Sequence, residues 1–411
     1  MQVNLADFIR DTPEGEEARA ILRACVHCGF CTATCPTYQL LGDERDGPRG
    51  RIYLIKQALE GVAPGPNTQQ HLDRCLGCSG CETTCPSGVQ YTRLLDIGRT
   101  VVDARVPRPL HTRALRALVR GVCTGPLFGM LLALGRAVRP VLPAAWREKI
   151  PRLAPAGAWP QRRHARRMLL LGGCVQPAMA PNIGASTARV LDALGVQLIV
   201  PSAAGCCGAI RAHLGDPSGA LREARRNIDA WWPYVEDGIE AIVMNASGCG
   251  ARVHEYGHVL RHDPAYAAKA ERISALVRDL AQLLPPMLPA LQSRLRETAP
   301  QRLVFHPPCT LQHALQVRGA VEPMLRALGA QVVAFEDSHL CCGSAGTYSL
   351  LQPQLSNELR ERKLRALTAA APAVILSANV GCIAHLAARA SVPVLHWIEW
   401  LDARLDYDVS G

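Results

Sequence analysis

The chain has 411 residues, 48% of them hydrophobic, which allows real cores and suggests two or three domains. Its formal charge of +10 comes with only 5% aromatics and no RNA or DNA motif, so nucleic-acid binding is excluded as the reading. The best apolar stretch, Pro126 to Leu134, is far shorter than the ~20 residues that span a bilayer.

In chain order, Met1 to Arg23 is acidic and polar and does not read as a signal peptide. A cytoplasmic location is expected, where thiols stay reduced. Two copies of one cysteine pattern follow. The first is Cys25-x-x-Cys28-x-x-Cys31-x-x-x-Cys35-Pro36, the second Cys75-x-x-Cys78-x-x-Cys81-x-x-x-Cys85-Pro86. This run is the ligand set of a bacterial two-cluster ferredoxin, in which the fourth cysteine of each run serves the other cluster. Cys25, Cys28, Cys31 and Cys85 are thus expected to hold one 4Fe–4S cluster, and Cys75, Cys78, Cys81 and Cys35 a second. Two matched quartets argue against a structural zinc site, and a long chain without a secretory signal argues against a disulfide framework. Oxidised clusters would lower the net charge to about +6.

Residues 1–105 read as a helical, two-cluster ferredoxin-like domain. Between its cysteine runs, Asp46 to Gly50 is a turn cluster, and Ile52, Ile55 and Leu59 recur at helical spacing over Arg51 to Glu60. Arg49 and Arg51 are either a solvated helix start or an offset to cluster charge. Residues 106–165 form a basic, Pro-rich connector in which Leu110, Ala114 and Leu118 share a face. That stripe is expected to pack on a neighbouring domain; docking on a membrane or a partner is the alternative. Cys123 reads as an inert buried thiol.

The remainder is duplicated, with repeat 1 over residues 166–290 and repeat 2 over 300–405. Cys174 and Cys309 are 135 residues apart, as are the starts of the vicinal pairs Cys206–Cys207 and Cys341–Cys342; Cys249 and Cys382 are 133 apart. In the first copy Met168–Leu171, Val196–Val200 and Ala241–Met244 read as strands, with helices over Asn182–Leu194 and Pro217–Val235. In the second, Leu303–Phe305, Gln331–Phe335 and Ala373–Leu376 read as strands, with helices over Glu322–Leu328 and Pro353–Thr368. Short apolar strands alternating with helices predict parallel α/β sheets. The fold class is therefore multidomain: a helical ferredoxin-like domain followed by a duplicated α/β domain with parallel sheets. The cysteines of each copy follow strand ends, where such sheets build their sites. Matched vicinal pairs point to a redox or cluster role for at least one repeat; structural repeats and one shared site are the alternatives. Gly343-Ser344-Ala345-Gly346 after the second pair leaves more room than Ala209-Ile210-Arg211 after the first. The second copy, with Cys309, Cys341, Cys342 and Cys382, is therefore expected to be the more functional. Cys174, Cys206, Cys207 and Cys249 rank behind it.

These features together resemble known proteins along nearly the whole chain. The N-terminal part is similar to the two-cluster module of respiratory dehydrogenase iron–sulfur subunits. The repeats resemble the cysteine-rich "CCG" domains of heterodisulfide reductases, anaerobic glycerol-3-phosphate dehydrogenase and lactate-utilisation proteins. Cys25-Val-His-Cys-Gly-Phe-Cys-Thr-Ala-Thr-Cys-Pro-Thr-Tyr38, Asp46-Gly-Pro-Arg-Gly-Arg-Ile-Tyr53 and Ser338-His-Leu-Cys-Cys-Gly-Ser-Ala-Gly-Thr-Tyr348 resemble the glycolate oxidase iron–sulfur subunit family. The resemblance implies a complex in which separate FAD-binding subunits oxidise glycolate and this chain carries the electrons away. Its acceptor would be a quinone or another carrier, with peripheral contact at the inner membrane face. The fullest CCG pattern ends Cys-x-x-Cys; here Arg252 and His385 stand three residues after Cys249 and Cys382. That departure argues against the non-cubane clusters of some relatives; His385 reads as a helix-surface residue, with a substitute nitrogen ligand as the alternative.

No G-x-G-x-x-G opens a helix after a strand and no P-loop is present, so substrate chemistry is expected to belong to a partner, and FAD with it. No residue of this chain is assigned a catalytic role. A self-contained disulfide- or quinone-reducing enzyme, and the iron–sulfur subunit of a lactate or glycerol-3-phosphate dehydrogenase, are the alternatives. A further cluster in a repeat stays open.

Overall fold

The alternating apolar runs form two parallel sheets. In a computed structural model describing residues 1–147 and 150–407, β1 (Arg166–Leu170), β2 (Val196–Ile199), β3 (Ile242–Met244) and β4 (Val277–Asp279) lie in the order β2-β1-β3-β4. The second repeat matches it: β5 (Arg302–His306), β6 (Gln331–Val332), β7 (Val374–Ser377) and β8 (Val394–His396) lie in the order β6-β5-β7-β8. Among the described residues every pairing within these two sheets is parallel. Successive strand residues point to opposite faces, and both faces are covered. Met168 and Leu170 enter a core shared by the two repeats, with Leu303, Phe305, Trp397 and Leu401. Leu169 and Leu171 turn the other way, toward Trp231, Tyr256 and Ile273.

The sequence reading missed β4 and β8, which are three residues long and end in polar side chains. Those polar ends start helices. Asp279 and His396 are each the N-cap of a capping box, closed by Gln282 and Glu399. The second strand of repeat 2 is shorter than expected. Val333 still donates to the Leu303 carbonyl, but the chain then leaves the sheet toward Asp337, whose φ is +55°.

The chain divides into two compact units: residues 1–117 with 339–363, and residues 118–338 with 364 onward. In the first, the helix expected over Arg51 to Glu60 starts earlier and covers Pro48–Leu59, because Pro48 is preorganised for a first helical position. Ile52, Ile55 and Leu59 are buried as the periodicity requires. The Tyr91–Arg105 helix closes on it at Gly98, where a Cβ would stand 2.6 Å from Ile55 Cγ1.

In the second unit the repeats are joined by polar contacts as well as by their core. Asn182 donates to Glu399, Ser186 to Asp402 at 2.8 Å, and Arg189 pairs with Asp402. The connector departs from expectation. Helices Leu110–Thr124 and Phe128–Val138 form there, but Leu110 and Leu118 are 79% and 64% exposed, and Ala114 is exposed too. The helix turns arginines inward instead. Arg116 pairs with Asp73 at 3.7 Å, and Arg120 with Asp216 at 3.8 Å.

Candidate metal centres

The first cysteine run leaves the Pro13–Ala24 helix and coils through His27 and Gly29, at φ +57° and +86°. The second coils through the matching Gly77 and Ser79, at +62° and +58°. Left-handed residues at these places wind the loop tightly enough for successive thiols to face one point. Pro36 then opens a short helix and ends the first run.

The thiols gather in crossed sets. One recess is lined by Cys25, Cys28, Cys31 and Cys85, together with Arg49 and Ile52. A second is lined by Cys35, Cys75, Cys78 and Cys81, together with Arg51 and Tyr91. Cys81, Pro48 and Tyr91 border both, so the recesses adjoin. Cys28 is exposed, which brings the first recess to the surface between the exposed Val26 and Phe30.

Electrostatics show the same crossing. Burial, then the neighbouring Cys25 and Cys85 thiolates, push Cys31 up to about 11. Burial also raises Cys25, with Cys85 and Cys28 adding to it. Cys81 is raised by burial and by Cys78, Cys75 and Cys35. Thiolates converging on one recess repel each other unless cations sit among them, so the donor sets fit iron–sulfur clusters. Cys75 is the exception. Burial raises it, but Arg51, Arg99, the Gly77 N–H and the Tyr91 hydroxyl outweigh burial and leave it below its ordinary value. Gly77 N and Tyr91 Oη lie 3.4 and 3.6 Å from its sulfur.

The structure decides between the two readings of the arginines. Arg51 is 1% exposed; its Nε donates to the His71 carbonyl at 2.8 Å, and its charge acts on Cys75 and Cys35. It offsets thiolate charge. Arg49 is part-exposed, pairs with Glu44 at 2.7 Å and lines the first recess. Behind Arg51, the fully buried Asp46 receives Arg51 at 3.4 Å and Arg74 at 2.9 Å. Asp43 and His71 gather at Asp46 as well, but its two guanidinium partners leave no role there for a metal ion.

In repeat 1 the four thiols form one chain of contacts, Cys174 to Cys206 to Cys207 to Cys249. The Cys174 contact pulls Cys206 down, but the Cys207 contact and burial outweigh it and push Cys206 up to about 12. The vicinal pair is held by its backbone. Gly208 N donates to Cys206 Sγ at 3.3 Å, Asn227 Nδ2 to the Cys206 carbonyl at 2.8 Å, and Tyr256 Oη to the Cys207 carbonyl at 3.0 Å. Cys123 is not isolated. Burial, and then Cys174, raise its thiol.

The thiols of repeat 2 divide between the units, Cys341 and Cys342 in the first and Cys309 and Cys382 in the second. The turn at the vicinal pair repeats the first: Gly343 N approaches Cys341 Sγ at 3.5 Å. Asn379 Nδ2 lies 3.6 Å from Cys382 Sγ, and His385 is half-buried on the Val380–Ala387 helix. Within the first unit, Tyr348 Oη donates to the Arg74 carbonyl at 3.1 Å. Burial, and then Cys75 and Cys341, raise this tyrosine, which therefore stands within electrostatic reach of both thiols. The sequence reading singled out neither Tyr348, Asn227 nor Tyr256. Their only signal is a polar group in an apolar setting, which marks a residue without naming its partner.

Comparison with known proteins agrees with these elements. Residues 21–89 match the 4Fe-4S dicluster domain family, and residues 168–254 and 303–387 match the CCG cysteine-rich domain family. The glycolate oxidase iron–sulfur subunit of Escherichia coli K12 is 52% identical over 410 residues, covering 99% of this chain and 100% of the relative. A protein of Bacillus subtilis 168 described as a probable glycolate oxidase iron–sulfur subunit is 29% identical, covering 92% of this chain and 90% of the relative. Lactate utilization protein A of Bacillus licheniformis is 25% identical over only 56% of this chain. With half its residues shared end to end, and both kinds of cysteine domain in the same order, the chain belongs to the glycolate oxidase iron–sulfur subunit family.

Proposed function

We propose that the chain is the electron-transfer subunit of a glycolate-oxidising complex. FAD-bearing partner subunits oxidise glycolate, and this chain passes the electrons to a quinone or another acceptor. The observation that carries the reading is the pair of adjoining recesses, each lined by a crossed set of thiols and one of them open at Cys28. Bound there, two 4Fe–4S clusters would supply one-electron carriers, which a two-electron flavin donor requires.

The residues then divide the work. Cys25, Cys28, Cys31 and Cys85 hold the entry site, and the exposed Val26 and Phe30 beside it suit a docking partner. Cys75, Cys78, Cys81 and Cys35 hold the inner site. Arg51, Arg99, Gly77 and Tyr91 stabilise negative charge on Cys75, which favours the reduced state there. Tyr348 bonds the Arg74 carbonyl and stands within electrostatic reach of both Cys75 and Cys341, which supports a redox role for the second vicinal pair. The first repeat's contiguous thiols support a role for Cys174, Cys206, Cys207 and Cys249 as well, including a further cluster.

The purified chain is mixed anaerobically with flavoprotein subunits and glycolate, and cluster absorbance is followed. Bleaching only when both are present is expected. Glycolate oxidation by the chain alone, or clusters that stay oxidised beside a reduced flavoprotein, would overturn the proposal. Turnover of a disulfide or quinone without any flavoprotein would favour the self-contained enzyme instead.

A further inference from the structure

Residues 106–165 hold eleven Lys and Arg against a single acid, Glu148. That excess equals the +10 of the whole chain, so the remaining residues are balanced. Arg116, Arg120 and Arg136 of this set are turned toward the protein, which leaves Arg113, Arg147, Arg152, Arg162 and Arg163 exposed. The same segment carries an apolar row. Leu127, Leu131, Leu134, Val138 and Val141 follow one another at helical spacing along and just past the Phe128–Val138 helix, from 40% to 84% exposed.

The row is not an accident of a loosely held helix. On the opposite face Arg136 donates to the carbonyls of Pro151, Ala178 and Met179 at 3.0, 2.9 and 3.0 Å. These bonds fasten the helix to the first repeat and fix the apolar row outward. Beyond it, Trp146 is 67% exposed and adjoins the exposed Arg147. Tryptophan beside arginine suits the boundary between headgroups and acyl chains.

We propose that this segment seats the protein on an anionic membrane surface, with the Phe128–Val138 row dipped into the acyl boundary and the surrounding arginines among the headgroups. The length of the elements requires lying on the membrane rather than crossing it. Eleven residues make a helix of about 16 Å, against a hydrocarbon core of about 30 Å. Joined to the helix before it, the pair bends by 97°. Among the described residues, no single helix is long and apolar enough to cross. An anionic bilayer answers both features at once: its acyl boundary takes the apolar row and its phosphates take the charge.

The test is vesicle flotation of the full, iron-loaded chain. Binding to phosphatidylcholine–phosphatidylglycerol vesicles is expected, with little binding to phosphatidylcholine alone and release by salt. Leu134→Glu should lower the bound fraction about tenfold with iron content unchanged, and Met130→Glu serves as the second variant if Leu134→Glu loses iron. Arg152→Glu combined with Arg162→Glu should weaken binding through charge alone. The proposal is overturned if the wild-type chain floats with neither vesicle, or if the glutamate variants bind as well as wild type. It is equally overturned if the variants abolish self-association or flavoprotein binding in a chain that does not bind vesicles, because the row then belongs to a protein interface.

Discussion

Arg51 and Asp46 are 1% and 0% exposed and partner each other beneath the second thiol set. Replacing Arg51 by Met leaves a buried carboxylate with one cation fewer, a change that costs about 3–5 kcal/mol. Chemical unfolding and the iron content of Arg51→Met should show a weaker first unit and a depleted inner site. A milder change tests charge rather than folding. Tyr91→Phe removes the hydroxyl 3.6 Å from Cys75 Sγ, so the inner site's reduction potential should fall while iron content stays constant, as read by a spectroscopic redox titration. His396 offers a pH test in the other unit. Burial holds it at about 3, far below the usual imidazole value, so the folded state binds fewer protons than the unfolded one between those pH values. The stability of neutral His396 is fully present above about pH 6.5 and is lost as pH falls toward 3. His396→Asn keeps an N-cap side chain and should flatten that acid loss, measured as melting temperature at pH 7.5 and pH 5. Legibility at this scale followed sequence separation. The two thiol recesses could be anticipated because ligation of one metal group would fix the spacing of each cysteine run, and the runs do meet in crossed sets. Tyr348 could not, because its partner carbonyl is 274 residues away. Arg51 could be read only as two alternatives until its burial was known.

At the scale of elements, the Cys-Cys-Gly turn has the same geometry in both repeats. Gly208 and Gly343 sit at φ +89° and +88°, each with its N–H on the first sulfur of the pair. A Cβ at Gly343 would meet Ser356 O at 2.5 Å and Leu359 Cβ at 2.9 Å; at Gly208 it would meet Ala220 O at 2.9 Å. Alanine at either glycine should destabilise its turn by about 1–3 kcal/mol, more at Gly343, as seen by thermal unfolding. The parallel sheets were legible because strands buried on both faces leave unbroken apolar runs such as Met168–Leu171 and Val374–Leu376. β4 and β8 escaped notice because three residues ending in Asp279 or His396 carry no such run. The connector shows the limit of periodicity. The shared face of Leu110, Ala114 and Leu118 reveals a helix, but whether that face is buried depends on what the arginines on the other faces find to pair with.

For the whole molecule, the proposed function is a relay that would collect electrons through an exposed site and move them inward. Serine at Cys341 or Cys342 should block electron transfer from flavoprotein to a quinone or dye, with both 4Fe–4S sites intact, whereas serine at Cys206 or Cys207 should cost less. Equal, normal transfer by all four variants would make the repeats scaffold. The measurement that bears most directly on the central claim is the iron and spin count of the anaerobically purified, fully reduced chain, with Cys85→Ser beside it. The account predicts at least about eight irons and two coupled paramagnetic centres per chain. It also predicts that Cys85→Ser disturbs the centre held by Cys25, Cys28 and Cys31. About four irons with a single centre, or a Cys85→Ser effect confined to the centre of its own run, would contradict it.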